Sequence, residues 1–396
     1  MTELVFDPTS ADYRADPHAV YRRFREQSPV HANPRNIWFL TRYRDVAAVL
    51  ADRRAIKKPE VLLKQFPPGP FREHNAFNMN FMDPPDHPRV RGTVARWFTP
   101  RALAELQPRI EAAAAELLAE LDGSATVDLV EQYAYLLPVF VIAEMLGVPA
   151  ENRALFRRCS APIVGGLEPG ASKEVYAAAD RAVTELTDYL GDLAEQRRRH
   201  PGGGDLLSVM VAHEQGDQLK PLELIHNAAF LLNAGHETTT NLIVNGMHAL
   251  LENPTELARL RREPRLIENA VEEFLRIAPP LDLTFRRLAA DYAIDDVTIP
   301  AGAGLILGLA AANRDPAEFA EPDRLDIGRA NAVRHLAFAS GPHVCLGATL
   351  ARYEGRIAIR AFLDRYPNLR LAGRPERKTG ASIFQGFASL PLALNG

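Results

Sequence analysis

The feature that most constrains the fold is a long apolar periodicity over residues 220–251. Its apolar positions step by four and three residues, which predicts one face of a helix formed by Leu224, Ala228, Leu231, Gly235, Thr238 and Leu242. At 1.5 Å per residue, roughly 30 helical residues extend about 45 Å. A helix of that length crosses a whole domain, so the other elements must pack around it.

Most of the remaining sequence also favours helices. Thr99 and Pro100 form a typical helix start, and Pro108 is expected to kink or divide the helix that follows. Residues 264–278 predict another helix, which the following proline pair ends. Strands are indicated only at 37–41, 291–299 and 304–310. The predicted fold class is therefore mainly α with a minor β-sheet region.

The chain is expected to form one domain, although its length leaves room for more. A prior of about 150 residues per domain suggests two or three. No stretch resembles a linker, and residues 1–396 are interpreted as one unit. Residues 57–86 contain four phenylalanines and two methionines, which predicts a long loop folded over something apolar. Packing of this loop on the general core is an equally good interpretation.

Charge and cysteine content exclude several functions. With 46 basic and 50 acidic residues, the formal charge is −4, which favours neither nucleic acid nor an anionic membrane as a partner. Two cysteines exclude a disulfide scaffold and suggest a reducing compartment. Neither a signal peptide nor an apolar run of the roughly 20 residues that span a bilayer is present, so the expected location is the cytoplasm.

The sequence around Cys345 has the strongest chemical signal. The cysteine follows a loop containing glycine and proline, and it precedes a helical run: FASGPHVCLG, then ATLARYEGRIAIRAFL. A helix N-terminus offers free N–H groups that stabilise a thiolate. From the residues alone, Cys345 is a nucleophile, a metal ligand or a small buried residue.

The spacing FxxGxxxCxG resembles the haem-binding loop of the cytochrome P450 family. Here it comprises Phe338, Gly341, Cys345 and Gly347, with Ala339 where the family usually has glycine. The resemblance implies that Cys345 is the axial thiolate ligand of a haem b. It also implies a cytochrome P450 fold, in which the haem is buried between the long central helix and the helix that follows the cysteine.

A second motif lies on the long helix. The residues Ala234, Gly235, Glu237 and Thr238 fall within about one turn. Taken alone, the threonine most simply bonds back to a carbonyl one turn earlier. The resemblance instead implies that the two small residues leave space for dioxygen beside the haem. It makes Glu237 and Thr238 the catalytic pair that relays protons.

Two further patterns are ambiguous without the family. Glu273 and Arg276 are three residues apart on a predicted helix, where a surface ion pair is the simplest interpretation. The resemblance makes them the structural ExxR pair, with Arg324 as the third partner in preference to Arg329.

The basic residues His87 and Arg91 are four residues apart, and solvent exposure is the simplest interpretation of such a pair. In the family this HxxxR motif binds the haem propionates. The resemblance adds Arg286 and His343 to the same group. Charged carboxylates inside a protein need such cationic partners.

The helix after the cysteine carries Arg352, Arg356 and Arg360 at intervals of four residues. Such a stripe is a solvated face or, as the resemblance implies, part of a docking face for an acidic ferredoxin-type electron donor served by its reductase. The absence of an attached flavin or iron–sulfur segment fits a bacterial-type member with separate redox proteins.

The motifs follow the family order along nearly the whole chain, which implies a monooxygenase that inserts one atom of O₂ into an apolar or amphipathic substrate by hydroxylation, O-dealkylation or epoxidation. The alternatives are a peroxide-driven peroxygenase, a haem isomerase or a non-catalytic helper homologue. Asp282 is either an anchor for a polar substrate group or a surface residue. The expected substrate pocket comprises Phe77, Met79, Phe81, Phe230, Leu283 and Phe384.

Overall fold

Helices dominate the computed structural model, which describes residues 4–378 and 382–395. Helices make up 59% of it and strands 11%, which confirms the predicted fold class. None of the helices in the described ranges is both long enough and apolar enough to cross a membrane.

The α-helices are numbered in chain order. They are α1 (Ala11–Ala15), α2 (Pro17–Gln27), α3 (Tyr43–Ala51), α4 (Pro59–Leu62), α5 (Pro70–Phe77), α6 (Asp86–Val94), α7 (Pro100–Glu120), α8 (Leu136–Met145), α9 (Arg153–Gly165), α10 (Lys173–Arg199), α11 (Leu206–Gln215), α12 (Pro221–Leu251), α13 (Pro254–Arg262), α14 (Ile267–Ile277), α15 (Leu309–Ala312) and α16 (Ala348–Arg365). Short 3₁₀ turns at Leu63–Gln65, Met79–Phe81, Ala332–Arg334 and Gly341–His343 belong to the loops around the site.

The strands are short and mostly antiparallel. They are β1 (Val30–Asn33), β2 (Ile37–Leu40), β3 (Ala55–Ile56), β4 (Thr126–Asp128), β5 (Leu283–Leu288), β6 (Tyr292–Ile294), β7 (Val297–Ile299), β8 (Gly304–Gly308), β9 (Arg370–Leu371), β10 (Glu376–Arg377), β11 (Phe387–Ser389) and β12 (Pro391–Ala393). The largest sheet has the order β1-β2-β8-β5-β3, in which only β2 and β8 are parallel neighbours.

The long helix α12 organises the molecule, as its periodicity predicts. It begins with Pro221 at its first position, where a proline loses no helical hydrogen bond, and the Glu223 carboxylate accepts the Lys220 N–H at 2.9 Å. Helices α8, α9, α10, α14 and α16 all pack against it. Because it is covered on several sides, α12 buries polar as well as apolar residues, and it reaches the centre of the molecule.

The sequence predictions fail where local order depends on long-range packing. Residues 57–86 are not a long loop, because α4, α5 and two 3₁₀ turns lie within them. Pro108 does not divide α7, which runs from Pro100 to Glu120. The predicted strand 291–299 is two strands, β6 and β7, that meet at Asp295 with a positive φ of 50°. The predicted strand 304–310 ends at Gly308, where α15 begins.

Candidate active site

One large cavity lies between α12, the loop that carries Cys345 and the first turn of α16. From α12 it is lined by Ala234, Gly235, Glu237 and Thr238, and from the start of α16 by Leu350 and Ala351. Side chains from α8, α9, the 57–86 region and the C-terminal turn close the remaining walls. The cysteine loop, the α12 motif and the basic residues His87, Arg91, Arg286 and His343 therefore meet around one space.

Cys345 lies on the wall of this cavity. Its backbone N–H donates to the Phe338 carbonyl at 2.9 Å, which closes the loop on itself. Burial raises the pKa of the thiol, while the Gly347 N–H and the charges of Arg91 and Arg352 act in the opposite direction. These groups stabilise a thiolate once a metal ion occupies the position in front of it.

The other cysteine has a different environment. Cys159 on α9 is buried, its sulfur lies 3.6 Å from the Glu185 carboxylate, and it does not line the cavity. Burial raises the pKa of its thiol to about 12. Cys159 is therefore a structural residue, and of the two cysteines Cys345 is the one whose thiol lies at the cavity.

Two residues of the cysteine loop have left-handed backbone conformations. Gly341 has a φ of +71°, and a Cβ there would approach the Ala51 Cα to 2.9 Å. Gly341 thus lets the loop pass the end of α3. It does not line the cavity, contrary to its expected place among the cofactor-binding residues. Ala339, where the family usually has glycine, keeps that conformation with a φ of +55°.

The α12 motif faces the cavity as expected. The Thr238 hydroxyl donates to the Ala234 carbonyl at 2.8 Å, so the local hydrogen bond is formed even though the residue lines the cavity. The Glu237 carboxylate forms an ion pair with Lys378, whose ammonium also donates to Asn241 Oδ1 at 3.0 Å. The sequence gives no signal for Lys378, which lies 141 residues from Glu237.

Basic side chains gather on one wall of the cavity. The rings of His87 and His343 lie 4.1 Å apart between centroids, and Arg91 donates to the Val344 carbonyl at 2.8 Å. Burial lowers the pKa of Arg286 to about 10. Burial and the neighbouring cations lower the pKa of His343 to about 2. The four residues that the family resemblance groups together are thus brought together by the fold.

A fifth basic residue, Lys57, was missed by the sequence analysis. It is 7% exposed, it follows β3 directly, and it lines the cavity. Its charge contributes to the lowered pKa of His343, which indicates that it belongs to the same wall. The available signal in the sequence is that Lys57 begins the apolar stretch 57–86, which a charged residue inside a cavity wall could explain.

The donor set fits a haem. A thiol lies on one wall of the cavity, and basic residues dominate another. The described lining residues include a single acidic side chain, that of Glu237, which is already paired with Lys378. A soft metal ion matches the sulfur, and two carboxylates match the excess of cations. The remaining surface is mostly apolar, as a porphyrin ring requires.

The Glu273 network corrects one residue assignment. The Glu273 carboxylate accepts from Arg276 Nε at 2.6 Å and from Arg329 Nε at 3.1 Å, all three side chains being at most 9% exposed. Arg324 is not the third partner, because its side chain is 57% exposed and pairs with Glu321. Only its backbone carbonyl takes part, accepting from Arg276 and Arg329. A spacing argument could not separate two arginines five residues apart.

A second network holds Arg352, the first arginine of the α16 stripe. The Glu272 carboxylate accepts two hydrogen bonds from Arg352, at 2.7 and 2.8 Å, and contacts His335 at 3.2 Å. Burial opposes its ionisation, yet these partners lower the pKa of Glu272 to about 2. The Arg352 guanidinium also lies 4.6 Å from the Phe338 ring centre. The Arg352 side chain is therefore held in place by Glu272 and packs against Phe338 of the cysteine loop.

The residues of the expected substrate pocket do not all lie at the cavity. Met79, Phe81, Phe230 and Phe384 line the cavity. Leu283 does not, because it is buried in a separate apolar cluster that includes Phe6 and Phe24.

Phe77 does not line the cavity either. Its ring stacks on His226 with centroids 5.8 Å apart and an interplanar angle of 14°. Leu283 is the first residue of β5 and Phe77 the last residue of α5, and a sequence pattern does not fix the direction of a side chain at the end of an element.

Both interpretations of Asp282 are wrong. Its side chain is 2% exposed and does not line the cavity. The carboxylate accepts from the Tyr21 hydroxyl at 3.1 Å, and that hydroxyl lies 2.5 Å from the hydroxyl of Tyr13. Burial raises the pKa of Asp282 to about 7. The residue is part of an internal network between α1, α2 and the segment before β5.

Comparison with known proteins agrees with this geometry. The profile of the family described as Cytochrome P450 matches residues 170–379. The chain is 45% identical to Vitamin D(3) 25-hydroxylase of Pseudonocardia autotrophica, over 98% of this chain and 96% of the relative. It is 35% identical to 6-deoxyerythronolide B hydroxylase of Saccharopolyspora erythraea, over 98% and 99%. The crystal structure of CalO2 superposes with a TM-score of 0.93 at 33% identity, over 99% of both chains.

These likenesses extend over nearly the whole chain and include proteins named as hydroxylases. Together with the cavity they establish a haem protein with an axial cysteine thiolate that acts on an organic substrate with O₂ and a redox partner. The chain belongs to the cytochrome P450 family and is a haem-dependent monooxygenase.

Proposed function

We propose that this monooxygenase hydroxylates a bulky, predominantly apolar and uncharged molecule with few polar groups. The observation that carries the proposal is the lining of the cavity away from Cys345. It is apolar on nearly every side, with residues such as Met79, Phe81, Phe230, Ile142 and Phe384. The names of the relatives support the same class, since one is a vitamin D3 hydroxylase and another a 6-deoxyerythronolide B hydroxylase.

Cys345 is the proposed axial ligand, and His87, Arg91, Arg286 and His343 are the proposed partners of the haem propionates. The bound haem supplies reductive activation of dioxygen and the oxidant for the C–H bond, and a thiolate ligand favours O–O cleavage. Phe338 and Gly347 line the same side, where a flat ligand needs close approach. The carboxylates of the ligand offset the mutual repulsion of the basic wall.

Glu237 and Thr238 are the proposed proton-handling residues. Glu237 is buried at the cavity, whereas its partner Lys378 is 26% exposed, so the ion pair connects the cavity side with solvent. The Thr238 hydroxyl donates its hydrogen to Ala234, which leaves its oxygen lone pairs free to accept a hydrogen bond inside the cavity. The Glu237 carboxylate would take up a proton from the Lys378 ammonium, which is replenished from solvent, and would pass it into the cavity, where the Thr238 oxygen would orient a hydrogen-bond donor.

Three structural residues are proposed to hold the cysteine loop rather than to touch substrate. The Glu273–Arg276–Arg329 network is buried, and Arg276 also donates to the carbonyls of Asn313 and Pro322. The network therefore fastens the segment 313–329, which leads into the loop.

The proposed electron donor is a ferredoxin-type protein served by its reductase, and it is proposed to dock near the cysteine loop.

We also propose that residues 1–396 are one domain and that the protein acts in the cytoplasm. The contacts of α12 with helices from distant parts of the chain support the first proposal. The second is supported by the two free cysteines and by the need for a reduced electron donor.

The first experiment is the absorption spectrum of the reduced, CO-bound protein. A strongly red-shifted Soret band that Cys345→His abolishes, and that Cys159→Ser leaves unchanged, is the expected result. Vitamin D3 and 6-deoxyerythronolide B are then titrated against the oxidised protein while the spin-state change is followed. A Soret band at the ordinary imidazole-haem position in the unmodified protein would contradict the ligand assignment. Tighter binding of charged than of uncharged probes would contradict the substrate class.

A further inference from the structure

We propose that Lys57 is a further haem-binding residue, whose ammonium pairs with a haem propionate beside Arg286. The inference rests on the proposed position of the propionates. It concerns a residue outside the motifs that carried the family resemblance.

The backbone around Lys57 is fixed by the sheet and by an aspartate. In the antiparallel pair of β3 and β5, Ala55 lies opposite Leu288, and Ile56 lies opposite Arg287. Continuing this register by one residue brings Lys57 opposite Arg286. The N–H groups of Lys57 and Lys58 donate to the two carboxylate oxygens of Asp83, at 2.8 and 2.6 Å. The backbone of Lys57 is therefore held at the cavity wall.

The ammonium group of Lys57 has no partner among the residues that the structure describes. No hydrogen bond or ion pair joins Nζ to any of the residues that the structure describes, although the side chain is only 7% exposed. Burial and the charge of Arg286 lower the pKa of Lys57 well below its ordinary value, while Asp83 acts in the opposite direction. A buried cation is stable only when an anion or a set of acceptors accompanies it. The missing anion must come from a ligand of this cavity.

A propionate is the anion that the position favours. Lys57 lies with Arg286, His87 and His343 on the basic wall, and the mutual lowering of their pKa values shows that these groups face one another. The apolar lining expected to contact substrate includes Ile142 of α8, Phe230 of α12 and Phe384 of the C-terminal turn. The positive charges of Arg91, Arg286 and Lys57 exceed the two negative charges of the haem propionates by one. Such an excess holds the ionised propionates and also raises the potential felt at the metal.

The test compares Lys57→Met and Lys57→Arg with Lys58→Met, all as purified haem-containing proteins. The rate of haem transfer to excess apomyoglobin is the first measurement, and the reduction potential of the haem is the second. We expect Lys57→Met to lose haem about tenfold faster, since a charge-assisted hydrogen bond is lost, and to have a lower reduction potential. Lys57→Arg should restore both values, and Lys58→Met should match the unmodified protein.

The competing explanation is a carboxylate on the substrate. It is tested by titrating dodecanoic acid and 1-dodecanol against the same variants and following the spin-state change. If Lys57→Met retains haem normally but loses affinity only for the acid, the proposal is overturned and Lys57 belongs to the substrate site. Unchanged haem transfer and unchanged potential would also overturn it. A failure of the proposed function would be visible separately, as the absence of the red-shifted CO band in the unmodified protein.

Discussion

At the scale of single residues, Ala339 stands out because its backbone adopts a conformation that disfavours its own side chain. Its φ of +55° lies in the left-handed region, and its N–H is held by the Leu336 carbonyl at 2.8 Å. For an L-residue this region costs about 1–2 kcal/mol, whereas glycine enters it freely. The loop thus stores a small amount of strain six residues before Cys345.

Ala339→Gly is therefore expected to stabilise the haem-containing protein. The relief of strain exceeds the extra chain entropy of glycine, so the gain should be about 0.5–1 kcal/mol. Urea unfolding followed by the Soret band measures it. Ala337→Gly, a few residues away and without a positive φ, serves as the control and should destabilise. Equal destabilisation by both substitutions would show that the strain is not released.

Lys378 gives a second test at this scale. Lys378→Met removes the cation that holds Glu237, so protons should reach the cavity less efficiently. The expected result is a product yield per electron pair that falls by about threefold to tenfold, with a larger solvent isotope effect on turnover, because Glu237 itself remains. The CO-bound spectrum should not change.

The control is Arg377→Met, since Arg377 stacks over Phe387 at 4.9 Å and has no contact with Glu237. An unchanged yield and isotope effect in Lys378→Met would exclude Lys378 from the proton route.

The site residues that carry a local motif could be predicted, and those that act across the fold could not. Cys345 was identified by its spacing to Phe338 and Gly341. Lys57 and Lys378 belong to no such motif. Lys57 follows β3 and Lys378 follows β10, and both strands are placed by pairing with strands that are distant in the sequence or folded onto them. A lone lysine is normally a surface residue, so only its burial distinguishes it.

At the scale of elements, the Asp282 network joins three segments. Tyr13 of α1 donates to the Ser382 carbonyl at 2.9 Å, Tyr21 of α2 binds Asp282, and the Asp282 N–H donates to the Ile383 carbonyl at 2.9 Å. The N-terminal helices are thereby tied to the turn that carries Phe384. Burial raises the pKa of Asp282 from 3.8 to about 7, so the folded protein binds a proton here more tightly than the unfolded chain.

The sign of the resulting pH dependence follows from this difference. Between pH 3.8 and about 7 the folded state holds more protons at Asp282, so stability is greatest at low pH and is lost as the pH rises through the folded pKa. In Asp282→Asn, which still accepts from Tyr21, this loss is absent. The stability of the variant relative to the unmodified protein should rise by about 2–3 kcal/mol from pH 5 to pH 8. Urea unfolding at both values measures it, and a difference independent of pH would contradict the assignment.

The ExxR network provides a test of the corrected partner. Arg329→Met removes one of the two buried cationic partners of Glu273, so it should lower the free energy of unfolding by about 3–5 kcal/mol. Arg324→Met removes an exposed side chain and should change stability by less than about 0.5 kcal/mol. Thermal unfolding of the two variants beside the unmodified protein decides between them. A larger loss in Arg324→Met would restore the first assignment.

Helices with strong periodicity could be predicted, whereas elements shaped by their neighbours could not. The pattern over 220–251 matches α12 to within one residue, because its apolar stripe determines its packing. Strand β5 went unrecognised because Leu283 and Arg286 take their places from pairing with β8. The short helix α5 depends on contacts with α10 and α12, and α4 packs on the neighbouring 3₁₀ turn Leu63–Gln65.

At the scale of the whole molecule, the α16 arginines that can contact an electron donor must be distinguished from those held in internal ion pairs. Arg352 is bound by two short hydrogen bonds to Glu272, whereas Arg356 lies 3.9 Å from Glu268 and 3.8 Å from Glu272 and is 28% exposed. Arg356 is therefore the better probe of docking, since its substitution disturbs the structure less.

Arg356→Glu should lower the second-order rate of reduction by a ferredoxin about tenfold at low salt, because long-range charge attraction governs such encounters. The salt dependence of the rate should weaken as well. Stopped-flow reduction at several ionic strengths measures both. Arg181→Glu, an exposed site on α10, is the matched control. Identical rates for the two variants would exclude the α16 stripe from the docking face.

The basic wall of the cavity also has a consequence for the life of the protein in a cell. Its five members come from residues 57, 87, 91, 286 and 343, so one bound molecule ties together segments that are distant in the chain. A ligand at a thousand times its dissociation constant stabilises the folded state by about 4 kcal/mol. Newly made chains that have not received haem retain the repulsion between Lys57, Arg91 and Arg286 and are open to proteolysis. The abundance of this protein should therefore follow the haem supply of the producing cell.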